Sequence, residues 1–273
     1  MNNAKLFLKA PVSILQNLMR HRHLLMRMIW QEIRGRFAGS FGGLVWHFLQ
    51  PLLMVTVYLF VFVHVFKLRV EGAGAENFSA LYIMAGLFPW LIFAEGLSRG
   101  SQCIHENANL IQKTAFPSEL LVFKAVLTPY ISFGMIVVGL AVYRLLFIGF
   151  SWHVFALPVV AMLQFLFTCG LVFLFATLAV YFKDILQLIN IFVGFGMYLV
   201  PILFPASMLP ELAQRLMYLN PTYPMIYPYQ RMLVFDNMGE TSILYMLLGW
   251  SLLFWALGSF VFYKLKDEFA DWL

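Results

Sequence analysis

Charge is what this chain has least of. Asp, Glu, Lys and Arg make up 11% of its 273 residues, against roughly a quarter of an ordinary soluble domain. Because 62% of the chain is hydrophobic, 18% is aromatic and the mean hydropathy is +0.82, a water-soluble fold is excluded and a polytopic membrane protein is indicated. Cysteine is scarce too: Cys103 and Cys169 stand alone, without metal-ligand spacing, which excludes a disulfide framework and a zinc site. No Gly-Lys pair occurs, so there is no phosphate-binding loop and no route to ATP through one. None of the six histidines opens a His-Glu-x-x-His pair, no Asp-x-Asp occurs, and Gly258-Ser259-Phe260 is not a nucleophile elbow. A membrane enzyme, such as a glycosyl- or acyltransferase, would therefore have to assemble its site from scattered groups.

What is present is arranged around Glu32 to Pro51. This stretch separates a basic N-terminal segment from an apolar run, and Arg34 and Arg36 cannot enter hydrocarbon cheaply. Before it, Lys5, Lys9, Arg20, Arg22 and Arg27 interrupt every apolar run and Pro11 breaks the segment, which argues against a cleaved signal peptide. From Ser13, a suitable N-cap, the pattern is helical. Arg20, Arg27 and Arg34 share one face, and Leu18, Leu25 and Ile29 lie about 200° away from them. This predicts an amphipathic helix in the membrane interface or against a partner, with Arg22 misplaced on its apolar side.

Six segments approach or exceed the ~20 apolar residues that a span needs: Leu44–Phe66, Leu81–Gln102, Leu120–Phe147, Val154–Phe182, Ile185–Phe204 and Ile243–Tyr263. The expected fold is an all-α integral membrane protein with six transmembrane helices, an N-terminal interfacial helix and short re-entrant helices on the outer side. It forms one domain: residues 1–43 interfacial, 44–263 the bundle and 264–273 a cytoplasmic tail. With both termini inside, thirteen of the eighteen Lys and Arg residues lie on the inner side. Only Lys67, Arg69, Arg144, Arg215 and Arg231 fall outside. The positive-inside rule selects that orientation and accounts for the pI near 9.2 without nucleic acid.

The third and fourth segments exceed a bilayer's thickness, which predicts tilt, projection into water, or kinks at Pro129 or Pro158. Lys183-Asp184 is a tight turn, with Asp184 placed to cap the fifth helix. The 104–117 loop should carry a short helix capped at Asn107, or else be a plain connector. Residues 205–240 should form two short amphipathic helices. The first begins at Pro210, carries Leu212, Leu216 and Leu219 on one stripe, and stops at Asn220-Pro221. These helices read as a lid over a pore, or as an external cap that only packs. Glu95 and Arg99 have the spacing of a local ion pair, while Lys124 and Arg144 should snorkel toward opposite surfaces. Gln187, Asn190, Gly194 and Tyr198 share a face that suits a water-filled path, and Tyr58, Phe62 and Phe66 form an aromatic stripe suited to weak sugar contacts or to simple packing.

Four ordered motifs then carry a family resemblance: Glu32-Ile-Arg-Gly-Arg-Phe-Ala-Gly-Ser40 with Gly43-Leu-Val-Trp-His-Phe-Leu-Gln-Pro51; Asn109-Leu-Ile-Gln-Lys-Thr-Ala-Phe-Pro117; Tyr181-Phe-Lys-Asp-Ile185; and Leu219-Asn-Pro-Thr-Tyr223 followed by Tyr229-Gln-Arg231. Over nearly its whole length the chain resembles ABC-2 type permeases that export polysaccharides. Phe37, Gln50 and Lys183 stand where that family often has Tyr, Asn and Arg. The resemblance implies a multi-pass homodimer in the bacterial inner membrane, bound to two copies of a separate ATPase that carries ATP and Mg. It implies a lipid-linked glycan of the undecaprenyl-diphosphate type as cargo, with O-antigen first and capsule or teichoic acid as the alternatives. It also implies an entrance for the head group at Arg34 and Arg36, and a channel along Tyr58, Phe62, Phe66, Gln187, Asn190 and Tyr198. ATPase coupling falls to Glu106, Asn107, Asn109, Leu110, Lys113 and Phe116, and the outer gate to Pro210, Leu212, Leu216, Asn220, Pro221 and Arg231. An ion-driven secondary transporter is the more remote reading, since no internal repeat is visible.

Overall fold

The computed structural model describes residues 3–35, 39, 45–65, 76–113 and 116–273. Among these, every regular element is helical: α1 (Asn3–Arg20), α2 (Arg22–Gly35), α3 (Val45–Leu59), α4 (Glu76–Glu106), α5 (Ala108–Lys113), α6 (Glu119–Tyr143), α7 (Leu157–Tyr181), α8 (Asp184–Gly196), α9 (Glu211–Met217), α10 (Tyr223–Leu233), α11 (Thr241–Leu265) and α12 (Phe269–Trp272). Arg36 and Phe66 lie outside the described residues, as does the Phe62 side chain.

Four helices are long and apolar enough to cross a bilayer, over Ser79–Glu106, Glu119–Ile148, Trp152–Tyr181 and Thr241–Trp272. Their central member is α4, with 78% of its most apolar window buried against 17% for the α6 span, whose second half is left uncovered while its first half packs inside. Two shorter apolar helices, α3 and α8, occupy the first and fifth expected segments. At α3 the helix continues as a π-helical turn over Phe60–Val65.

The fifth segment is shorter than the 185–204 span expected from hydropathy. After Gly196 one 3-10 turn, Met197–Leu199, ends the helix, and Val200 is extended (φ −127°, ψ 143°) because Pro201 disfavours helix in the residue before it. Val200, Ile202 and Leu203 are nevertheless buried. Irregular backbone can lie there because Tyr82 Oη and Gln230 Nε2 donate to the Pro201 carbonyl at 2.8 and 2.9 Å.

The prolines of the long helices act differently from each other. Pro129 lies inside continuous α6, where Thr128 Oγ1 donates to the Lys124 carbonyl and Ser132 Oγ to that of Thr128. Pro158 opens α7 in its first turn, where its missing N–H costs nothing. The tightest helix contact joins α7 to α11 at Gly170 and Gly258: a Cβ added at either would run into the other helix's backbone. Phe173–Phe262 and Phe167–Phe254 ring pairs, 4.7 and 5.3 Å between centroids, flank this crossing.

The basic N-terminal segment is two helices rather than one. His21 turns its ring back onto the Asn17 carbonyl at 3.0 Å, and the break there leaves Arg22 exposed. Leu25, Ile29 and Ile33 are buried, whereas Arg20, Arg27 and Arg34 are exposed, as the periodicity predicted. The apolar face is covered by the end of the chain's own bundle: α1 packs on α11, with Phe7 and Phe260 rings 5.4 Å apart, and α2 on α6.

Candidate functional site

The end of the bundle that carries α2 and α5 is organised by Glu32. One carboxylate oxygen accepts from Arg99 Nη1 on α4 at 2.8 Å, and the other pairs with Lys124 Nζ on α6 at 3.0 Å. Arg99 also meets Glu95 at 3.3 Å, the local pair predicted from spacing. Lys124 therefore does not snorkel to a surface; it is spent on fixing α2. Beside this cluster opens a cleft of about 560 Å³ lined by Gln31, Glu32, Arg99, Gln102, Glu106, Asn107 and Lys124 among others. Arg34 is exposed on α2 and is not among the residues lining the cleft.

The predicted coupling segment forms α5. Glu106 ends α4, and the Asn107 carbonyl accepts from Leu110 and Ile111 to start the next helix. The Asn107 side chain caps differently from expectation: it donates back to the Cys103 carbonyl at 2.8 Å, closing α4 rather than opening α5. Asn109 and Lys113 are exposed, while Leu110, Ile111 and Phe116 pack partly against the core. His105 donates through Nε2 to the Ala179 carbonyl at 2.8 Å, tying this end of α4 to α7. In the 181–184 turn Lys183 holds the N-cap position of α8, and Asp184 lies in its first turn, where a carboxylate suits the helix dipole.

At the opposite end, residues 205–240 form the two predicted short helices, with unequal roles. Pro210 precedes α9, whose Leu212 and Leu216 are exposed together with Leu219. Asn220 makes the turn between α9 and α10: its Oδ1 accepts from Thr222 N and Oγ1 at 3.0 and 2.7 Å, and its Nδ2 donates to the Leu199 carbonyl at 3.2 Å, while Pro221 breaks the helix. The second helix, α10, is not a surface-dipping amphipathic helix but is largely buried on α4, α7 and α11. A side chain at Gly86 would collide with Gln230. Tyr229 Oη donates to Gln164 Oε1 at 2.7 Å, and Gln164 Nε2 donates to the Pro89 carbonyl at 2.8 Å, which pins α10 to α7 and α4. Arg231 donates to Asn237 Oδ1 at 2.9 Å and lies over the Phe235 ring, 4.7 Å from its centroid.

Arg144 also departs from the snorkelling expectation. Its side chain is buried, donates to the Gly149 carbonyl at 2.8 Å and pairs with Asp236 beyond α10 at 3.5 Å. The neighbouring Ser151 hydroxyl, the His153 ring 3.2 Å away and then the Arg144 charge hold the Asp236 carboxyl below its ordinary value.

The proposed channel residues are only partly gathered. Gln187, Asn190 and Tyr198 lie on the exposed face of the α8 segment, with nothing near a Cβ built at Gly194. Ser98 on α4 donates to Asn190 Oδ1 at 3.1 Å. Tyr58 is half-buried and near enough to Tyr198 to interact with it electrostatically. Sequence reasoning missed the Glu32 hub, the Gln164–Tyr229 link and Asp236. Of these, only Gln164 carried a signal, as a lone amide in an otherwise apolar span.

The central helix α4 thus joins the short helix α5 at one end to the buried helix α10 at the other, and the family that the chain matches makes it a transport subunit, a permease. The chain belongs to the ABC-2 type transporter family, whose pattern matches residues 23–234. It is 28% identical over 268 residues to an O-antigen export system permease protein RfbA of Myxococcus xanthus, covering 95% of this chain and 99% of that one. A protein of the same name from Klebsiella pneumoniae is 29% identical over 254 residues, covering 91% and 94%.

Proposed function

We propose that this chain is the permease subunit of an ATP-driven exporter that moves lipid-linked O-antigen across the bacterial inner membrane. The observation that carries the reading is the near end-to-end correspondence with O-antigen export permeases, 95% of this chain against 99% of one of them. Both termini face the cytoplasm, which the thirteen inner-side cations support. Two copies pair through surface such as the exposed face of α8, and each binds one ATPase subunit that holds ATP and Mg. The chain itself supplies no catalysis.

In this reading the lipid diphosphate is met by Arg34 and Arg36, and the glycan follows along Tyr58, Phe62, Phe66, Gln187, Asn190 and Tyr198 at the dimer interface. ATP-driven closure of the partner pushes on α5. Because α5 follows α4 directly and α4 holds the gate helix α10 at Tyr82, Gly86 and Pro89, one rigid rod of roughly 30 Å links push to gate.

The test is complementation of a strain lacking this chain. Loss should leave lipid-linked polysaccharide inside the cell, and wild-type chain should restore surface polysaccharide. Arg34→Ala combined with Arg36→Ala should impair export without loss of the ATPase from the complex. Normal export by the well-expressed double variant overturns the head-group role.

A further inference from the structure

We propose that α12 forms part of the docking surface for the nucleotide-binding subunit, presenting Trp272 beside α5; this rests on the reading of α5 as the coupling helix. The tail is fixed, not trailing. Phe269 is fully buried against Phe262, 5.5 Å between ring centroids, and Lys266 Nζ meets the buried Glu119 carboxylate at 2.7 Å. From that base α12 packs directly on α5 and on the end of α7. The Trp272 ring lies 5.1 Å from that of Tyr181, whose hydroxyl donates to Glu268 at 3.2 Å.

Two large rings are left uncovered at this corner. Trp272 is 60% exposed, and Phe182, next to Tyr181, is 64% exposed. An uncovered Trp on a fixed helix marks a contact surface, and aromatic side chains dominate such contacts.

The surrounding charges choose the occupant. Asp267, Glu268 and Asp271 are exposed on the segment that carries Trp272, and with exposed Glu106 and Asp184 on the neighbouring helix ends they outnumber the exposed cations there, Lys113, Lys183 and Lys264. An anionic leaflet repels such a cluster, and membrane-lying helices carry Lys and Arg at these places instead. The surface therefore fits a protein partner with an apolar recess rimmed by Lys or Arg. The partner that α5 touches is the one within reach.

The experiment uses the full chain co-expressed with its ATPase. A photo-crosslinking p-benzoylphenylalanine in place of Trp272 should capture the ATPase subunit. Trp272→Ala should lower ATPase retention on the purified permease about tenfold or more, Trp272→Phe should largely restore it, and Asp271→Lys should weaken it in low salt. Capture of lipid or of a second permease copy instead of the ATPase overturns the proposal, as does wild-type retention by Trp272→Ala. Lys113→Glu on α5 separates the two readings. Loss with Lys113→Glu alone leaves α5 as the docking element and removes α12. Loss with Trp272→Ala alone keeps α12 as a docking element and removes α5.

Discussion

Arg144 Nη2 and Asp236 Oδ2 face each other at 3.5 Å, joining the turn after α6 to the loop that follows α10. Asp236 holds a left-handed backbone (φ 55°), a conformation that costs little for Asp but is kept only when neighbours fix it. Here the neighbours are Arg144, Ser151 and His153. The contact therefore clamps α10 to the α6–α7 corner.

Asp236→Asn should loosen that clamp. The reporter is Met225→Cys on α10, fully buried in this structure, with a membrane-impermeant thiol reagent. The native cysteines are silent because both are buried. Each kcal/mol lost raises the open population about fivefold, and labelling should rise accordingly. The pH sign is fixed by the lowered Asp236 carboxyl: its stabilisation is complete above the ordinary value near 3.8 and is lost as pH falls through the lower folded value. Because the thiolate is the reacting form, labelling is expressed relative to that of the same cysteine in denatured protein at each pH, and this ratio for the Asp236-containing protein should thus stay flat from about pH 8 to about pH 5. A rise with pH would contradict the clamp.

Tyr229→Phe should destabilise the protein by about 1 kcal/mol, the size of a hydrogen bond between membrane helices rather than of a cavity. It leaves the buried Gln164 Oε1 without its donor. Adding Gln164→Leu should recover part of the loss, because a buried amide with one unsatisfied end is worse than none. Unfolding of the purified single and double variants measures this coupling; strict additivity would show that the two groups do not act together.

The residues that were legible in the sequence are those whose partners are close in sequence or whose environment is lipid. Hydropathy located the four long spans, Pro117 and Asn107 bracketed α5, and Pro210 and Asn220-Pro221 delimited α9. The i, i+4 spacing predicted Glu95–Arg99. Glu32–Lys124 and Arg144–Asp236 were not legible, because only the packing of α2 on α6 and of the loops after α6 and α10 on each other brings them together. Hydropathy also overran α8, since Val200, Ile202 and Leu203 are as apolar as a span yet are buried as irregular backbone.

Gly258→Val should fail where Gly249→Val succeeds. A Cβ at Gly258 meets the Gly170 carbonyl on α7, whereas nothing lies within 4 Å of one at Gly249. Overpacking at such a crossing costs about 1–3 kcal/mol or separates the helices. The yield of folded protein in detergent should fall for Gly258→Val and not for Gly249→Val; equal yields would mean that α7 and α11 do not cross this closely.

Glu32→Gln should free α2, and the reason separates it from Glu95→Gln. Among the described residues Glu32 alone bridges α2 by ion pairs to both α4 and α6, through Arg99 and Lys124. When it loses its charge, Arg99 retains Glu95, but Lys124, only 19% exposed, loses a carboxylate 3.0 Å away. An incompletely hydrated cation left without its partner costs more than the half-buried pair contributed. Amide exchange over residues 22–35 should accelerate about tenfold for a loss near 1.4 kcal/mol. With Glu95→Gln the bridge remains, so exchange in α2 should not change, and export should continue if Glu95 is an ion-pair partner and not a carrier of transported protons. Replacing Glu32 and Lys124 together by Leu and Met should restore much of the protection, because a largely desolvated pair exchanged for apolar groups is close to neutral. Equal acceleration by Glu32→Gln and Glu95→Gln would show that α2 is held by the cluster's overall charge rather than by this one carboxylate.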